Sequence, residues 1–182
     1  MSAPPSTLTT PDGWVLSVAA TDESLKPVAS LTNSPWSREY LVDGKFKGSV
    51  TGAGTTNLAG GTLEVGYQIG CGIGQDTLDS NSVATGIAGI GLPFATGTIF
   101  PLILGAQAGN GLTINLKPGT VNVVQIGKKS FKGTTSHVNV NHLRIKIDGC
   151  AGQSFIRSYA TFTSSTDNTD DVVNYVGVTR AV

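Results

Sequence analysis

The chain has 182 residues, only 13% of them charged, and its basic and acidic side chains balance to zero net charge. This length suits one well-packed domain with an appendage, and is too short for two large domains. A neutral chain attracts no polyanion, so we predict no nucleic-acid partner. The 24 glycines, with frequent Thr, Ser, Val and Asn, favour short strands and turns. We therefore predict an all-β fold.

Residues 1–11 contain three prolines and are predicted to be a flexible, extended lead-in. They lack the basic and apolar regions of a signal peptide in this numbering. An exported protein whose signal peptide has been replaced by Met has the same pattern, so we do not infer a cytosolic home from it.

Strand patterns follow this lead-in. Apolar side chains alternate over residues 14–19 and predict a first strand, whereas residues 20–36, with two prolines and no sustained period, are predicted to be a loop. Asp43 and Gly44 separate two further apolar segments and predict the turn of a β-hairpin. The clearest alternation in the chain covers residues 63–71, where glycines leave one face nearly bare.

Residues 72–109 are the most unusual stretch. No Lys or Arg occurs between Lys47 and Lys117, and no charge of either sign between Asp79 and Lys117. Such a segment needs an apolar partner, but its glycines disfavour a buried helix and no window is apolar enough for a membrane-spanning one. Two strands of a tilted hairpin are long enough to cross a bilayer. Because one hairpin cannot close a barrel, several copies of the chain would have to share one.

Further strands are predicted after this stretch. One begins at residue 121, and the basic segment 128–132 that follows it is interpreted as a solvated loop. Apolar side chains occupy even-numbered positions before Asn141 and odd-numbered positions after His142. This change of parity predicts a β-bulge. Alternation over residues 155–163 and a segment near 172–178 predict the last strands, for about ten in all.

Catalytic and metal-binding patterns find little support. His137 and His142 are the only histidines, and no nucleophile motif is present. Asp170 and Asp171 are adjacent, so in a strand they point to opposite faces. We predict no enzyme, no cofactor and no metal site.

The two cysteines, Cys71 and Cys150, are the minimum for one disulfide, which we expect in an exported β protein. Two buried thiols that pack as small apolar groups are the alternative.

Asp76 and Asp79 are the only charges within the neutral stretch, where they lie beside Ser80 and Asn81. In a ring of hairpins each carboxylate would repeat around the lumen and attract cations. The alternative is an aqueous turn with no role in selectivity.

Several segments of the sequence resemble the MspA-type porins of the mycolic-acid outer membrane, in the cysteine-containing branch from relatives of mycobacteria. The similar segments are Leu31-Thr32, Ser37-Arg38-Glu39, Gly61 to Gly70, Phe100-Pro101, Gly109-Asn110-Gly111 and Lys146 to Ala160. The Gly66-Tyr67-Gln68-Ile69-Gly70 run is the most specific of them.

This resemblance implies a goblet-shaped homo-oligomer, usually an octamer. Residues 12–71 and 110–182 would form a β-sandwich rim domain, and residues 72–109 a β-hairpin arm that contributes to a shared transmembrane barrel. A bond between Cys71 and Cys150 would tie the root of the arm to the rim. The arm is shorter than in the best-known member and lacks its acidic tip, which leaves a neutral constriction lined by small residues such as Thr85 and Thr96.

We therefore predict an outer-membrane porin of a mycolic-acid-containing bacterium, a water-filled channel for passive diffusion of small hydrophilic solutes and ions. Its partners would be identical subunits and membrane lipid or detergent. A secreted pore-forming toxin would store a similar hairpin, but should circulate as a monomer. In a soluble β-sandwich binding module, residues 72–109 would instead be a long ligand loop.

Overall fold

The computed structural model describes residues 2–32, 34–72, 111–115, 119–150 and 152–182. This part of the chain is all-β, which confirms the predicted fold class. Within the described ranges, no helix is long and apolar enough to cross a membrane. The strands are β1 (Ser6–Thr9), β2 (Trp14–Val28), β3 (Arg38–Gly52), β4 (Leu58–Cys71), β5 (Gly111–Asn115), β6 (Val121–Phe131), β7 (Thr135–Asp148), β8 (Ser154–Thr166), β9 (Asp170–Val176) and β10 (Arg180–Ala181).

The strands form two sheets that pack face to face. Sheet I has the order β1-β2-β3-β7-β5, and sheet II has the order β10-β8-β4-β6, with β9 also paired to β8. All pairs are antiparallel except β5 with β7, which is parallel. Side chains from both sheets share the core, where Phe46 of sheet I and Phe162 of sheet II are fully buried. The described part is therefore a β-sandwich.

Strand β4 lies at the centre of sheet II, between β6 and β8. Its alternation was predicted from the sequence, and the structure confirms it: Leu63, Val65 and Ile69 are fully buried. The bare outer face has a packing role at Gly66, where a Cβ atom would lie 2.5 Å from Cε1 of Tyr159 and 2.1 Å from a backbone oxygen. Only glycine lets the tyrosine ring lie across the strand here.

The predicted β-bulge at Asn141 and His142 is confirmed. The β3–β7 register shifts between Val42 and Gly44, and His142 has a positive φ of 50°. The predicted hairpin turn at Asp43 and Gly44 is wrong, because β3 continues through both residues. The Asp43 carboxylate faces the bulge and accepts hydrogen bonds from the His142 N–H (2.6 Å) and the Ser24 hydroxyl (2.6 Å).

Three further segments are more ordered than their sequence predicts. Residues 20–36 were predicted to be a loop, but β2 extends to Val28 because it pairs with β3 along this length. Within the predicted lead-in, β1 pairs with β2, and the Ala3 N–H donates to the Tyr175 hydroxyl (2.9 Å). The basic segment 128–132, predicted to be a loop, continues β6 as far as Phe131, because β4 supplies a partner for it.

Candidate functional site

In the chain, the neutral stretch follows a strand of sheet II and precedes a strand of sheet I, and we call it the insertion. Strand β4 ends at Cys71 in sheet II, and the next described strand, β5, begins at Gly111 in sheet I. Gly72 is the last described residue before the insertion, and its N–H donates to the Gln153 carbonyl (3.3 Å). We call this end of the sandwich, around Cys71, the root.

The candidate pore-lining residues all belong to the insertion. They lie outside the described residues, so their role stays a prediction: Asp76, Asp79, Ser80, Asn81, Thr85 and Thr96.

A disulfide joins the two sheets at the root. Cys71, at the end of β4, is bonded to Cys150, just after β7, with the two Cα atoms 5.9 Å apart. Both residues are buried, and the Ser154 hydroxyl donates to the Cys150 sulfur (3.1 Å). The structure therefore contains the disulfide expected from the two cysteines rather than two separate buried thiols.

Arg38 ties two further segments to the root. Its Nη1 group donates to the carbonyl oxygens of Gly152 and Val182, each at 3.0 Å. Val182 also forms two backbone hydrogen bonds with Ser154, of 3.1 and 2.8 Å. One guanidinium thus connects β3, the turn after Cys150 and the last residue of the chain.

The chain also passes the root after the insertion. The Gly119 N–H donates to the Cys71 carbonyl (3.3 Å), and Val121 then pairs with Gly70. The residues on both sides of the insertion are consequently held within a hydrogen-bonded, disulfide-linked framework. This framework fixes the positions of the described residues on both sides of the insertion.

An ion pair between a buried carboxylate and a half-buried guanidinium lies beside the neighbouring strand. Glu39, which is 3% exposed, accepts from Nε (2.7 Å) and Nη2 (2.5 Å) of Arg144. Arg144 is in register with Gly111, the first residue of β5. The sequence analysis assigned no role to Arg38, Glu39 or Arg144, although Arg38 and Glu39 belong to one of the segments that carry the family resemblance.

Burial raises the pKa of tyrosine side chains in the described part. Burial, followed by interactions with Glu64, raises the pKa of Tyr159 to about 12. Burial, followed by a hydrogen bond to Glu23, raises the pKa of Tyr175 to about 12. Both phenols therefore stay neutral at physiological pH, where they can donate hydrogen bonds but cannot act as bases.

The side chain of His142 lies at the bulge, away from the root. His142 contacts Asp43 (Nδ1 to Oδ1, 3.3 Å) and Asn141 (2.7 Å), both at the bulge. Among the residues that the structure describes, no three His, Cys, Asp or Glu side chains are close enough to hold a metal ion.

Comparison with known proteins assigns the chain to a family. The family model described as MspA matches residues 12–181, which is nearly the whole chain. No curated protein matches it.

Proposed function

Because the chain belongs to the MspA family of mycobacterial porins, we propose that it forms a water-filled outer-membrane channel for passive diffusion of small hydrophilic solutes and ions. The family is one of porins and not of enzymes. Its members form oligomers and lie in the outer membrane of mycobacteria. For this chain we propose a ring of identical subunits, an octamer, in the outer membrane of a mycolic-acid-containing bacterium, with no cofactor.

The observation that carries this proposal is the position of the neutral stretch. It begins at the root, where the Cys71–Cys150 bond locks the two sheets together, and the chain re-enters sheet I at Gly111, in register with Arg144 of β7. A stretch without charges from residue 80 to residue 116 requires an apolar environment. Lipid around a barrel of identical hairpins provides one, because strands in a closed barrel pair all their backbone polar groups.

We assign residues 12–71 and 110–182 to a rim domain and residues 72–109 to the barrel arm. In this division the rim stays in water. The disulfide at Cys71 fixes the position and direction in which the arm leaves the rim. A hairpin held at a defined angle loses less conformational entropy when it joins a barrel than one on a flexible linker.

Planar-bilayer recording tests the proposal directly. Purified protein in detergent is expected to give stepwise increases in conductance that are stable in time. A truncated chain in which residues 73–110 are replaced by a short Gly-Ser linker is the matched control, and it should give none. Wild-type protein that produces no conductance steps and elutes as a monomer in detergent would refute the channel.

Ion selectivity tests the proposed lumen. If Asp76 and Asp79 form rings in the channel, we expect a mild cation preference that weakens as salt rises from 0.1 to 1 M, where the Debye length falls from about 10 to 3 Å. The Asp76→Asn/Asp79→Asn variant should move the reversal potential in a salt gradient toward zero. Asp22→Asn removes an exposed carboxylate from the rim and should leave it unchanged. An unaltered potential in the double variant would exclude these carboxylates from the selectivity site.

A further inference from the structure

The two edges of sheet II carry opposite charges. Strand β6 forms one edge, and the other, beyond β8, is formed by β9 and, at the root end, by β10. Among the described strands, neither edge has a partner on its outer side. The end of β6 and its turn carry three lysines, which we call the basic edge: Lys128, Lys129 and Lys132. The start of β9 and the turn before it carry three aspartates, which we call the acidic edge: Asp167, Asp170 and Asp171.

The two charged groups overlap at one end of the sheet, with Lys128 and Lys129 nearer the root, in the rows of Asn174 and Val173. Phe131 of β6 pairs with Gly61, Gly61 with Ser164, and Ser164 with Asp171. The basic edge therefore ends in the same row of the sheet in which the acidic edge begins. Lys132 and Asp170 each lie one residue further from the root. Lys128 also forms an ion pair with Glu64 (3.6 Å) on its own sheet.

Apolar side chains occupy both edges nearer the root. Val121 and Val123 of β6 are 62% and 59% exposed, and Val176 at the end of β9 is 45% exposed. Phe155, in the same row as Val121 through Gly70, is 43% exposed. Both edges thus have the same order from the root outward, first apolar and then charged, but with charges of opposite sign.

This pattern fits a head-to-tail contact between copies and opposes a two-fold one. In a two-fold contact each edge would meet a copy of itself, so the lysines of one copy would find no aspartates of the acidic edge opposite them. In a ring, the β6 edge of one copy meets the β9 edge of the next. Strand direction also permits this, since β6 and β9 run in opposite directions within the sheet and would meet as antiparallel neighbours.

We propose that the basic edge of one subunit contacts the acidic edge of the next around the ring, with Val121 and Val123 packed near Val176 closer to the root. The partner is a second copy of this chain. This inference rests on the proposed oligomeric channel and specifies which surfaces of the rim close it. The exposed valines account for part of the apolar contact, and the charges set the direction of assembly.

Cysteine cross-linking tests the contact in the assembled protein. The Lys132→Cys/Asp170→Cys variant, treated in detergent with a short bis-maleimide reagent, is expected to give a ladder of covalent oligomers on a denaturing gel. A bond within one subunit is excluded, because β4 and β8 separate the two edges by about 14 Å. Each single-cysteine variant should stop at a dimer or remain a monomer. Lys132→Cys/Lys47→Cys, with the second cysteine on sheet I, is the matched double control and should form no ladder.

Charge reversal tests the sign of the interaction. Replacing the three lysines by glutamate should reduce the fraction of ring oligomer about tenfold or more at low salt, because each exposed pair contributes a few tenths to 1 kcal/mol. Replacing the three aspartates by lysine should have the same effect. Mixing the two reversed proteins should restore rings in which the two chains alternate, and the chain with all six changes should assemble again by itself.

The outcomes separate this inference from the channel proposal. Wild-type rings that conduct, together with no ladder from the edge pair or unchanged assembly of both reversed variants, would overturn the contact and leave the porin intact. Wild-type protein that neither oligomerises nor conducts would overturn both.

Discussion

Reduction of the Cys71–Cys150 bond should lower the free energy of unfolding of the rim by about 4.5 kcal/mol. The bond closes a loop with a sequence separation of 79 residues, and in the chain-entropy model the unfolded chain regains about this much at 25 °C when such a loop opens. Because 1 kcal/mol shifts the melting temperature of a chain of this size by about 2 to 4 °C, we expect a decrease of about 9 to 18 °C. The loss should be largest at the root, where the bond joins the two sheets.

The measurement compares oxidised and reduced wild-type protein by guanidinium unfolding at one protein concentration. Fluorescence of Trp14 and Trp36 reports on the rim, outside the proposed arm. The Cys71→Ala/Cys150→Ala variant should resemble the reduced protein and should not respond to reductant. Intact-mass analysis confirms the starting state, since the oxidised chain is two hydrogen atoms lighter. Equal denaturation midpoints for oxidised and reduced protein would refute the reasoning.

Two further predictions concern the same framework. Arg38→Met should cost about 2 kcal/mol in a thermal or denaturant unfolding assay, because two carbonyl groups lose a charged donor. Lys45→Met breaks an exposed ion pair with Asp22 and should have a much smaller effect on stability; equal costs would contradict the role of Arg38. The second prediction concerns Tyr175, whose pKa is raised in the folded protein from its ordinary value of 10.0 to about 12. The unfolded chain therefore loses this proton at a lower pH than the folded protein does. The free energy of unfolding should consequently fall as pH rises from about 10 to 12. The decline in melting temperature over this range should be shallower in Tyr175→Phe, and an identical slope would exclude this phenol as a cause.

Local patterns predicted several features correctly. The alternation of Leu63, Val65 and Ile69 identified the buried face of β4, because side chains on a strand point to opposite faces in turn. The change of phase at Asn141 and His142 identified the bulge for the same reason. In these cases the sequence of one strand is sufficient, since its own period carries the signal.

Turn and loop signals were less reliable. Asp43-Gly44 is a strong hairpin dipeptide, yet β3 continues through it because β2 and β7 pair with the strand on both sides. Pro27 indicated a loop, yet β2 extends past it to Val28 because β3 supplies a partner along this length. A strand persists wherever neighbours supply hydrogen bonds, and those neighbours are distant in sequence.

The sequence by itself determined the all-β class, the buried face of β4 and the existence of a stretch without charges. These follow from composition and from the two-residue period, which are local properties of the chain. Only the tertiary structure decided that β4 lies between β6 and β8, that Arg38 binds Val182, and that lysines and aspartates occupy opposite edges of one sheet. These features depend on strand order and register. Both arise only when segments that are distant in the sequence, some by more than a hundred residues, pack against each other.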